Sequence, residues 1–244
     1  NLYRPADAPA HAMRFKIFHA GNPIPLSDCL PILENMGLQV IDEVPHKISR
    51  DHREDSIWIH DFGMLERQGA ALDIDGAKDQ FEETFAQVWA GDIENDVFNR
   101  LVISARLTCR EVVALMAYCK YRRQTGITFS QDYMGATLAN HPDITRRLVD
   151  LFHMRFDPAG KKDRAAPARR LVARINALLD QVSNLDEDRI PSRHLNLIEN
   201  TLRTNYYQPA ADGSITSYVS FKLNRRPLDD LPLQSPAAAL QDRI

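Results

Sequence analysis

Hydrophobic residues in the first ninety positions recur with two different periods. Apolar side chains two residues apart predict half-buried strands around Met13–Ile17, Leu38–Val44 and Ser56–Phe62. Apolar side chains three to four residues apart predict helices that carry residues 30–36 and 77–88. The resulting order, strand–helix–strand–strand–helix, supplies five of the six elements of a ferredoxin-like βαββαβ unit.

From residue 93 to about 207 the pattern changes to successive helices. Thr108 and Glu111 are spaced as a capping box, in which a hydroxyl and a carboxylate each bond a backbone amide at the helix start. An apolar stripe at helical spacing follows Glu111. Further helices are predicted at 130–139, 142–156, 165–183 and 187–206.

Period-two alternation returns near the end of the chain and predicts a strand over 215–223, after a turn at Asp212–Gly213. Two placements are open for this strand. It returns to the early sheet as a fourth strand, or it opens a further domain.

These patterns predict an α+β chain, in which a small ferredoxin-like sheet precedes an α-helical bundle. The predicted division is a linker at 1–10, the α+β module at 11–92, a helical domain at 93–210, the late strand within 211–226 and an irregular tail at 227–244.

Composition and charge narrow the class of protein. Hydrophobic residues make up 44% of the 244 positions and the net charge is −3, so no global positive field would attract nucleic acid or an anionic membrane surface. The longest apolar runs, such as Val112–Ala117, are far shorter than the roughly 20 residues of a membrane span. Three cysteines without metal-binding spacing indicate buried thiols and a cytoplasmic location. Because the chain begins with Asn1 rather than Met, we expect it to be part of a longer protein.

Motifs for cofactor chemistry are missing from the sequence. No two of the ten glycines are separated by a single residue, so the spacing that lets backbone approach a pyrophosphate does not occur. His46, His52, His60 and Asp61 fall in one predicted hairpin, but their spacing matches no compact zinc pattern. The basic stretch 161–174 carries no interleaved aromatic residues, and a solvated helix face explains it. We therefore predict no catalytic, cofactor-binding or metal-binding residue.

One loop has the character of a binding site. Gly21, Asn22, Ser27 and Asp28 lie between the first predicted strand and the first predicted helix. At such a position, free backbone amides and the helix dipole favour an anion, for example the carboxylate of an amino-acid effector. The competing interpretation is that Asn22 forms the turn and that Ser27 and Asp28 cap the helix.

A family resemblance extends in order along the chain to about residue 226. The stretches that carry it are Leu2–Pro9, Met13–Lys16, Pro23–Leu38, Trp58–Phe62, Glu94–Leu101, Leu107–Val113, Phe129–Gln131, Ser183–Ile190, Thr201–Pro209 and Ser220–Leu223. Together they resemble the large NAD-specific glutamate dehydrogenases of bacteria.

The resemblance implies a long parent chain with ACT-like regulatory modules ahead of a Rossmann-type core, which oxidises L-glutamate to 2-oxoglutarate and ammonium while reducing NAD. In the family, the catalytic lysine and the nucleotide site follow this region, so no catalytic residue is carried over. Residues 11–92 correspond to an ACT-like module, in which Ile24 replaces the usual glycine after the turn proline.

The expected function is thus a non-catalytic regulatory and scaffolding segment of a cytoplasmic homo-oligomer. Its expected partners are the rest of the parent chain and sister subunits. The alternative is a module that binds an amino-acid effector and controls the parent enzyme. A free-standing enzyme is disfavoured by the missing motifs.

Overall fold

The computed structural model describes residues 1–49, 56–67, 69, 71–160, 163–211, 213, 216 and 218–224, and the backbone of 240–243. The chain divides into two compact units, Asn1–Cys109 and Arg110–Ile244. Both mix helices with antiparallel strands. Within the described ranges, none of the helices is long and apolar enough to cross a membrane.

The first unit is built on a four-stranded antiparallel sheet with two main helices. Its elements are β1 (Leu2–Tyr3), β2 (Ala12–Ala20), α1 (Leu26–Asn35), β3 (Leu38–Ser49), β4 (Ser56–Glu66), α2 (Ile74–Ala90), a 3₁₀ turn at Val97–Arg100 and the short α3 (Leu101–Ser104). The strand order is β1-β2-β4-β3. β2 and β3 therefore run parallel to each other with the antiparallel β4 between them, and α1 makes the crossover.

The core of this unit lies between the sheet and α2. Phe15 of β2 meets Phe81 edge-on, with ring centroids 5.1 Å apart, and meets Phe85 at 5.0 Å. The register pairs Phe15 with Phe62 of β4, which is fully buried on the same face. A slip of one residue would turn these side chains to the opposite face, so the core fixes the register.

The expected linker at residues 1–10 is wrong at its beginning, because Leu2–Tyr3 forms β1 at the edge of the sheet beside β2. Leu2 is 2% exposed, and its amide donates to Oε1 of Glu82 in α2 at 2.7 Å. The Tyr3 hydroxyl donates to Oδ2 of Asp61 in β4 at 2.8 Å. A strand of two residues shows no period, so its partners rather than its pattern place it there.

The expected cap of the first helix is also wrong. α1 begins at Leu26 with Pro25 as its N-cap, where no side chain makes a capping hydrogen bond. Ser27 and Asp28 lie in the first turn, and the Ser27 hydroxyl donates to Asp28 Oδ1 at 3.1 Å. Pro31 lies inside the helix rather than in its first turn, so its missing N–H removes one intrahelical hydrogen bond.

The second unit consists of five helices and a small sheet among its described residues. They are α4 (Cys109–Gln124), α5 (Gln131–Asn140), α6 (Pro142–Phe156), α7 (Ala165–Leu179), α8 (Leu185–Glu199), β5 (Thr201–Thr204), β6 (Tyr218–Leu223) and β7 (Leu240–Arg243). The strands pair antiparallel in the order β5-β6-β7. The Asn184 side chain caps α8 by accepting from the amides of Asp186 and Glu187, so this helix begins at Leu185, ahead of the predicted start at 187.

Two expectations about the end of the chain are corrected, and one of the two placements left open for the late strand is excluded. The helix predicted over 187–206 ends at Glu199, because the residues from Thr201 pair with β6 instead. Tyr218–Leu223 does not return to the first sheet, since its partners are β5 and β7; residues 215 and 217 lie outside the described part. In the tail expected to be irregular, Leu240–Arg243 forms β7, and residues 225–239 lie outside the described part.

Aromatic side chains join the helices of the second unit to its sheet. The ring of Tyr118 in α4 stacks on Phe221 of β6 with centroids 4.3 Å apart. The Tyr118 hydroxyl shares a hydrogen bond of 2.8 Å with Thr201 Oγ1 of β5. Burial raises the pKa of Tyr118, so its phenol keeps its proton. The sheet is thus held against α4 by both packing and a buried hydrogen bond.

The buried aromatic pair in the first unit gives a test of this core. Phe81→Ala removes a side chain that is fully buried against Phe15, and we expect a loss of roughly 3–5 kcal/mol in the free energy of unfolding. The matched control is Phe18→Ala in the same unit, because Phe18 is 60% exposed. Urea unfolding measures both. Equal losses for the two variants would contradict the described core.

Candidate functional site

The loop predicted as a binding site connects β2 to α1 and presents its named side chains to solvent. Gly21 has φ +93°, a left-handed conformation that favours glycine, and its amide donates to Ser56 O at 2.8 Å. Gly21, Asn22, Ser27 and Asp28 are all exposed. The Asn22 carbonyl lies 2.9 Å from His19 Nδ1. The structure thus places Gly21 and Asn22 in the loop, and Ser27 and Asp28 in the first turn of α1.

The buried His60 is hydrogen-bonded to the backbone of this loop. The amide of Ile24 donates to Nε2 of His60 at 3.0 Å, and His60 Nδ1 lies 2.8 Å from Oε1 of Glu43. Because Nε2 accepts, Nδ1 carries the proton and donates to the carboxylate. His60 is 2% exposed. At least one loop amide is therefore already bonded within the protein, and the loop backbone is fixed to β4.

The hairpin histidines considered as metal ligands do not form a metal site in the described part of the chain. His60 uses both ring nitrogens in the bonds to Ile24 and Glu43. His46 is exposed on β3, and His52 lies outside the described residues. No group of three or more His, Cys, Asp or Glu residues among those described is placed to hold a metal ion.

The second unit contains a buried carboxylate that the sequence analysis treated only as a capping residue. Glu111, 7% exposed, accepts from Nε2 of His153 at 2.6 Å and from Nη2 of Arg146 at 3.0 Å through Oε1. Its Oε2 accepts from Arg146 Nη1 at 3.3 Å. The Nε of Arg146 donates to Asp150 at 2.9 Å. One carboxylate of α4 therefore binds two side chains of α6.

A tyrosine beyond the first strand of the small sheet extends this network. His153 Nδ1 is hydrogen-bonded to the hydroxyl of Tyr207. Burial, followed by the charges of Asp157 and Glu111, raises the pKa of Tyr207 to about 12. The phenol therefore keeps its proton and donates to Nδ1, and His153 Nε2–H donates to Glu111.

The arginine next to Glu111 binds the same segment. Arg110 donates to the carbonyl oxygen of Tyr206 through Nε at 3.0 Å and through Nη2 at 2.6 Å. Its Nη1 donates to Thr216 O at 3.0 Å. The guanidinium also lies 4.8 Å from the centroid of the Tyr206 ring, within range of a cation–π interaction.

We call this network the Arg110–Glu111 clamp; it consists of Arg110, Glu111, Arg146, His153 and Tyr207. Burial acts to lower the pKa of Arg146, but its bonds to Glu111 and Asp150 outweigh burial and raise it. Arg146 and His153 together satisfy both oxygens of Glu111, so the carboxylate is held in its ionised form. The geometry joins α4 and α6 to the segment after β5. Sequence reasoning missed it because its hydrogen bonds join residues up to 96 positions apart.

Three family models match successive parts of the chain. The ACT3 domain of glutamate dehydrogenase matches residues 1–77, and helical motif 3 of glutamate dehydrogenase matches residues 93–158. The catalytic domain of bacterial NAD-glutamate dehydrogenase matches residues 174–241. The order is that of a segment that passes from a small sheet domain through helices into a catalytic domain.

Curated relatives agree with these matches. The chain is 42% identical over 237 residues to the NAD-specific glutamate dehydrogenase of Halomonas elongata, which covers 97% of this chain and 14% of that protein. It is 40% identical over 239 residues to that of Pseudomonas aeruginosa, covering 97% of this chain and 15% of the relative. It is 36% identical over 230 residues to that of Mycobacterium tuberculosis, covering 90% of this chain and 14% of the relative.

The ordered matches to an ACT domain, a helical motif and a catalytic domain together define a segment of a glutamate dehydrogenase. The chain belongs to the family of bacterial NAD-specific glutamate dehydrogenases, of whose length it spans 14–15%. The catalytic-domain match begins at residue 174, so the segment reaches into that part of the family rather than ending ahead of it. The clamp crosses this division, since His153 lies in the helical-motif match and Tyr207 in the catalytic-domain match.

The clamp predicts that removing the charge of Glu111 costs more stability than removing that of Asp150, the other carboxylate bonded to Arg146. Glu111→Gln leaves Arg146 and His153 without their anionic partner, and we expect a loss of about 2 kcal/mol in the free energy of unfolding. The matched control is Asp150→Asn, whose side chain is 45% exposed and which we expect to cost at most about 1 kcal/mol. Chemical denaturation measures both variants. A Glu111 variant no less stable than the Asp150 variant would refute the clamp.

Proposed function

We propose that this chain is a non-catalytic regulatory and scaffolding segment of a cytoplasmic, homo-oligomeric NAD-dependent glutamate dehydrogenase. The parent reaction converts L-glutamate, NAD⁺ and water to 2-oxoglutarate, ammonium and NADH. The observation that carries the proposal is the ordered match to an ACT domain, a helical motif and the beginning of a catalytic domain, in a sequence without glycine spacing for a dinucleotide. The catalytic machinery then belongs to the rest of the parent chain.

The strand order supports an ACT-like, ferredoxin-like first unit. In a βαββαβ unit the last strand pairs antiparallel with the first strand at the edge of the sheet. Here β1 occupies that edge and pairs with β2 in the same sense, although it precedes β2 in the chain. We infer that Leu2–Tyr3 replaces the sixth element that the pattern left missing.

The clamp supports the scaffolding role. Its bonds hold the backbone of Tyr206 and the side chain of Tyr207, just after β5, against α4 and α6. Charge-assisted hydrogen bonds of this kind fix geometry more strictly than apolar contact does. The helices would thereby position the first strands of the catalytic domain.

The second candidate is an amino-acid effector module at Gly21–Asp28. The start of α1 favours this candidate. Its N-cap residue is Pro25, whose side chain cannot accept a hydrogen bond from the amides of the first turn. The exposed Asn22 and Ser27 add polar groups that an amino acid could bond. The bond from the Ile24 amide to His60 removes one donor from the same loop.

A comparison of two proteins tests the first proposal. The full-length parent and this 244-residue segment are assayed for glutamate-dependent formation of NADH. We expect activity only in the full-length protein, because the segment lacks a nucleotide motif. Activity of the segment alone would overturn the proposal and require a nucleotide site that uses no G-x-G spacing.

Calorimetry with a panel of amino acids tests the second candidate. If it is correct, Asn22→Ala and Ser27→Ala weaken binding about tenfold each without lowering thermal stability, because both side chains are exposed. Ser49→Ala, at an exposed position at the end of β3, is the matched control and should leave binding unchanged. No heat signal with any amino acid would exclude this candidate.

A further inference from the structure

A cleft of about 430 Å³ lies among the helices α6, α7 and α8 of the second unit. Its apolar wall consists of one leucine of α6 and several small side chains of α7, which are Leu151, Ala165, Ala168, Val172 and Ala173. Sites for small organic ligands occupy roughly 300–1,000 Å³. The cleft is therefore large enough for a molecule of the size of an amino acid.

Four polar side chains complete the lining, and they carry both signs of charge. Arg155 lies on α6, Arg169 and Asn176 lie on α7, and Glu199 is the last residue of α8. Arg155 is half-buried, whereas the other three are exposed. The described lining thus places two positive charges and one negative charge beside an apolar wall.

The guanidinium of Arg155 is fixed in position by neutral groups only. Its Nη2 donates to the carbonyl oxygen of Glu199 at 2.8 Å and to that of Thr201 at 3.3 Å. Its Nε is buried and has no hydrogen-bond partner among the described residues. No carboxylate in the described part of the chain therefore compensates the charge of Arg155. Because guanidinium groups bind carboxylates in bidentate fashion, this residue is suited to an anionic group of a ligand.

The opposite charges of Arg169 and Glu199 line the same cleft without pairing. Neither side chain forms a hydrogen bond or an ion pair with any residue that the structure describes. The helix dipole does not account for Glu199, because the carboxyl end of a helix disfavours a negative charge. The last turn of α8 contains no basic residue that would offset this effect. A cation next to Glu199 would therefore be stabilised by both the carboxylate and the dipole.

These groups match the three parts of an aliphatic α-amino acid. Its carboxylate would pair with Arg155 and Arg169, its ammonium group would pair with Glu199, and its side chain would contact the apolar wall. The Asn176 carboxamide can donate to the first of these groups or accept from the second. A dicarboxylate would bring additional negative charge towards Glu199, and a simple carboxylic acid would leave Glu199 without a partner.

We propose that the cleft formed by Arg155, Arg169, Asn176 and Glu199 binds an α-amino acid with an aliphatic side chain. Arg155 falls in the helical-motif match, whereas Asn176 and Glu199 fall in the catalytic-domain match. The bound amino acid would therefore bridge these two regions of the family. The site belongs to the second unit and is independent of both the Gly21–Asp28 loop and the Arg110–Glu111 clamp.

Calorimetric titration of the 244-residue chain with L-valine and three partial analogues tests the proposal. The analogue 3-methylbutanoate lacks the ammonium group, 2-methylpropan-1-amine lacks the carboxylate, and glycine lacks the aliphatic side chain. We expect L-valine to bind and each analogue to bind at least about tenfold more weakly, because each loses one set of contacts. Absence of L-valine binding at millimolar concentration would overturn the proposal. Equal affinity for 3-methylbutanoate would also overturn it, since Glu199 would then have no part.

Charge-neutralising variants locate the bound amino acid. Arg169→Gln and Glu199→Gln each remove an exposed charge that has no described partner, so we expect both variants to fold. Each should weaken L-valine binding about tenfold, and Glu199→Gln should bring L-valine and 3-methylbutanoate within about twofold of each other. Arg170→Gln, at the next exposed position of α7, is the matched control and should leave the affinity within about twofold. An equal loss in the control would show non-specific attraction and would refute the site.

Filling the cleft provides a variant that changes no charge. Ala168→Leu keeps a good helix former on α7 but occupies part of the space, and we expect L-valine to bind at least about tenfold more weakly. Ala177→Leu, at an exposed position of the same helix, is its control and should not change binding. Asn22→Ala separates this site from the Gly21–Asp28 loop and should also leave binding unchanged. Loss of L-valine binding in Asn22→Ala alone would place the ligand at that loop and contradict the cleft.

Discussion

The second unit depends on the ionised carboxylate of Glu111. A charge at 7% exposure is costly unless it is paired and hydrogen-bonded, and here Arg146 and His153 donate to both of its oxygens. The same carboxylate fixes the tautomer of His153 and thereby lets Tyr207 donate to the remaining ring nitrogen. If the charge were absent, α6 would lose two polar attachments to α4, and the segment after β5 would lose one of its anchors.

The first unit also contains a buried carboxylate that is stabilised by hydrogen bonds from neighbouring side chains. Asp61, 8% exposed on β4, accepts from Arg14 Nε at 2.9 Å and from the Tyr3 hydroxyl at 2.8 Å. A strand of two residues buries too little apolar surface to hold itself on a sheet edge. In both units, therefore, a buried carboxylate attaches a short segment that neither propensity nor burial would secure. The attached segment contributes a tyrosine hydroxyl each time.

The sequence pattern predicted what local physics determines. Period-two alternation placed β2, β3 and β4, and helical spacing placed α1 and α2, because each of these elements is long enough to show its period. The strands β1 and β5 have two and four residues, and their pairing partners lie elsewhere in the chain, so no window of sequence shows them. Tertiary pairing decided their conformation instead.

The same contrast between local sequence pattern and tertiary contact applies to the candidate sites. The loop at Gly21–Asp28 could be located from turn residues, but its attachment to His60 could not, because 36 positions separate His60 from Ile24. The pairing of Arg146 with Asp150, four residues further on, is visible in the sequence, whereas the approach of Glu111 to Arg146 depends on how α4 and α6 pack. Polar chemistry in this chain is therefore assembled across elements, and pattern alone identifies single contributors only.

This assembly across elements bears on regulation. A ligand or a neighbouring subunit influences a distant reaction only through groups that hold two parts of a chain in a defined arrangement. In the second unit the Arg110–Glu111 clamp connects the helical-motif residues to the catalytic-domain residues, through the bonds to Tyr206 and Tyr207. The clamp is complete within the protein, with its charges already paired. The clamp therefore suits a permanent scaffold that keeps these two regions in one arrangement.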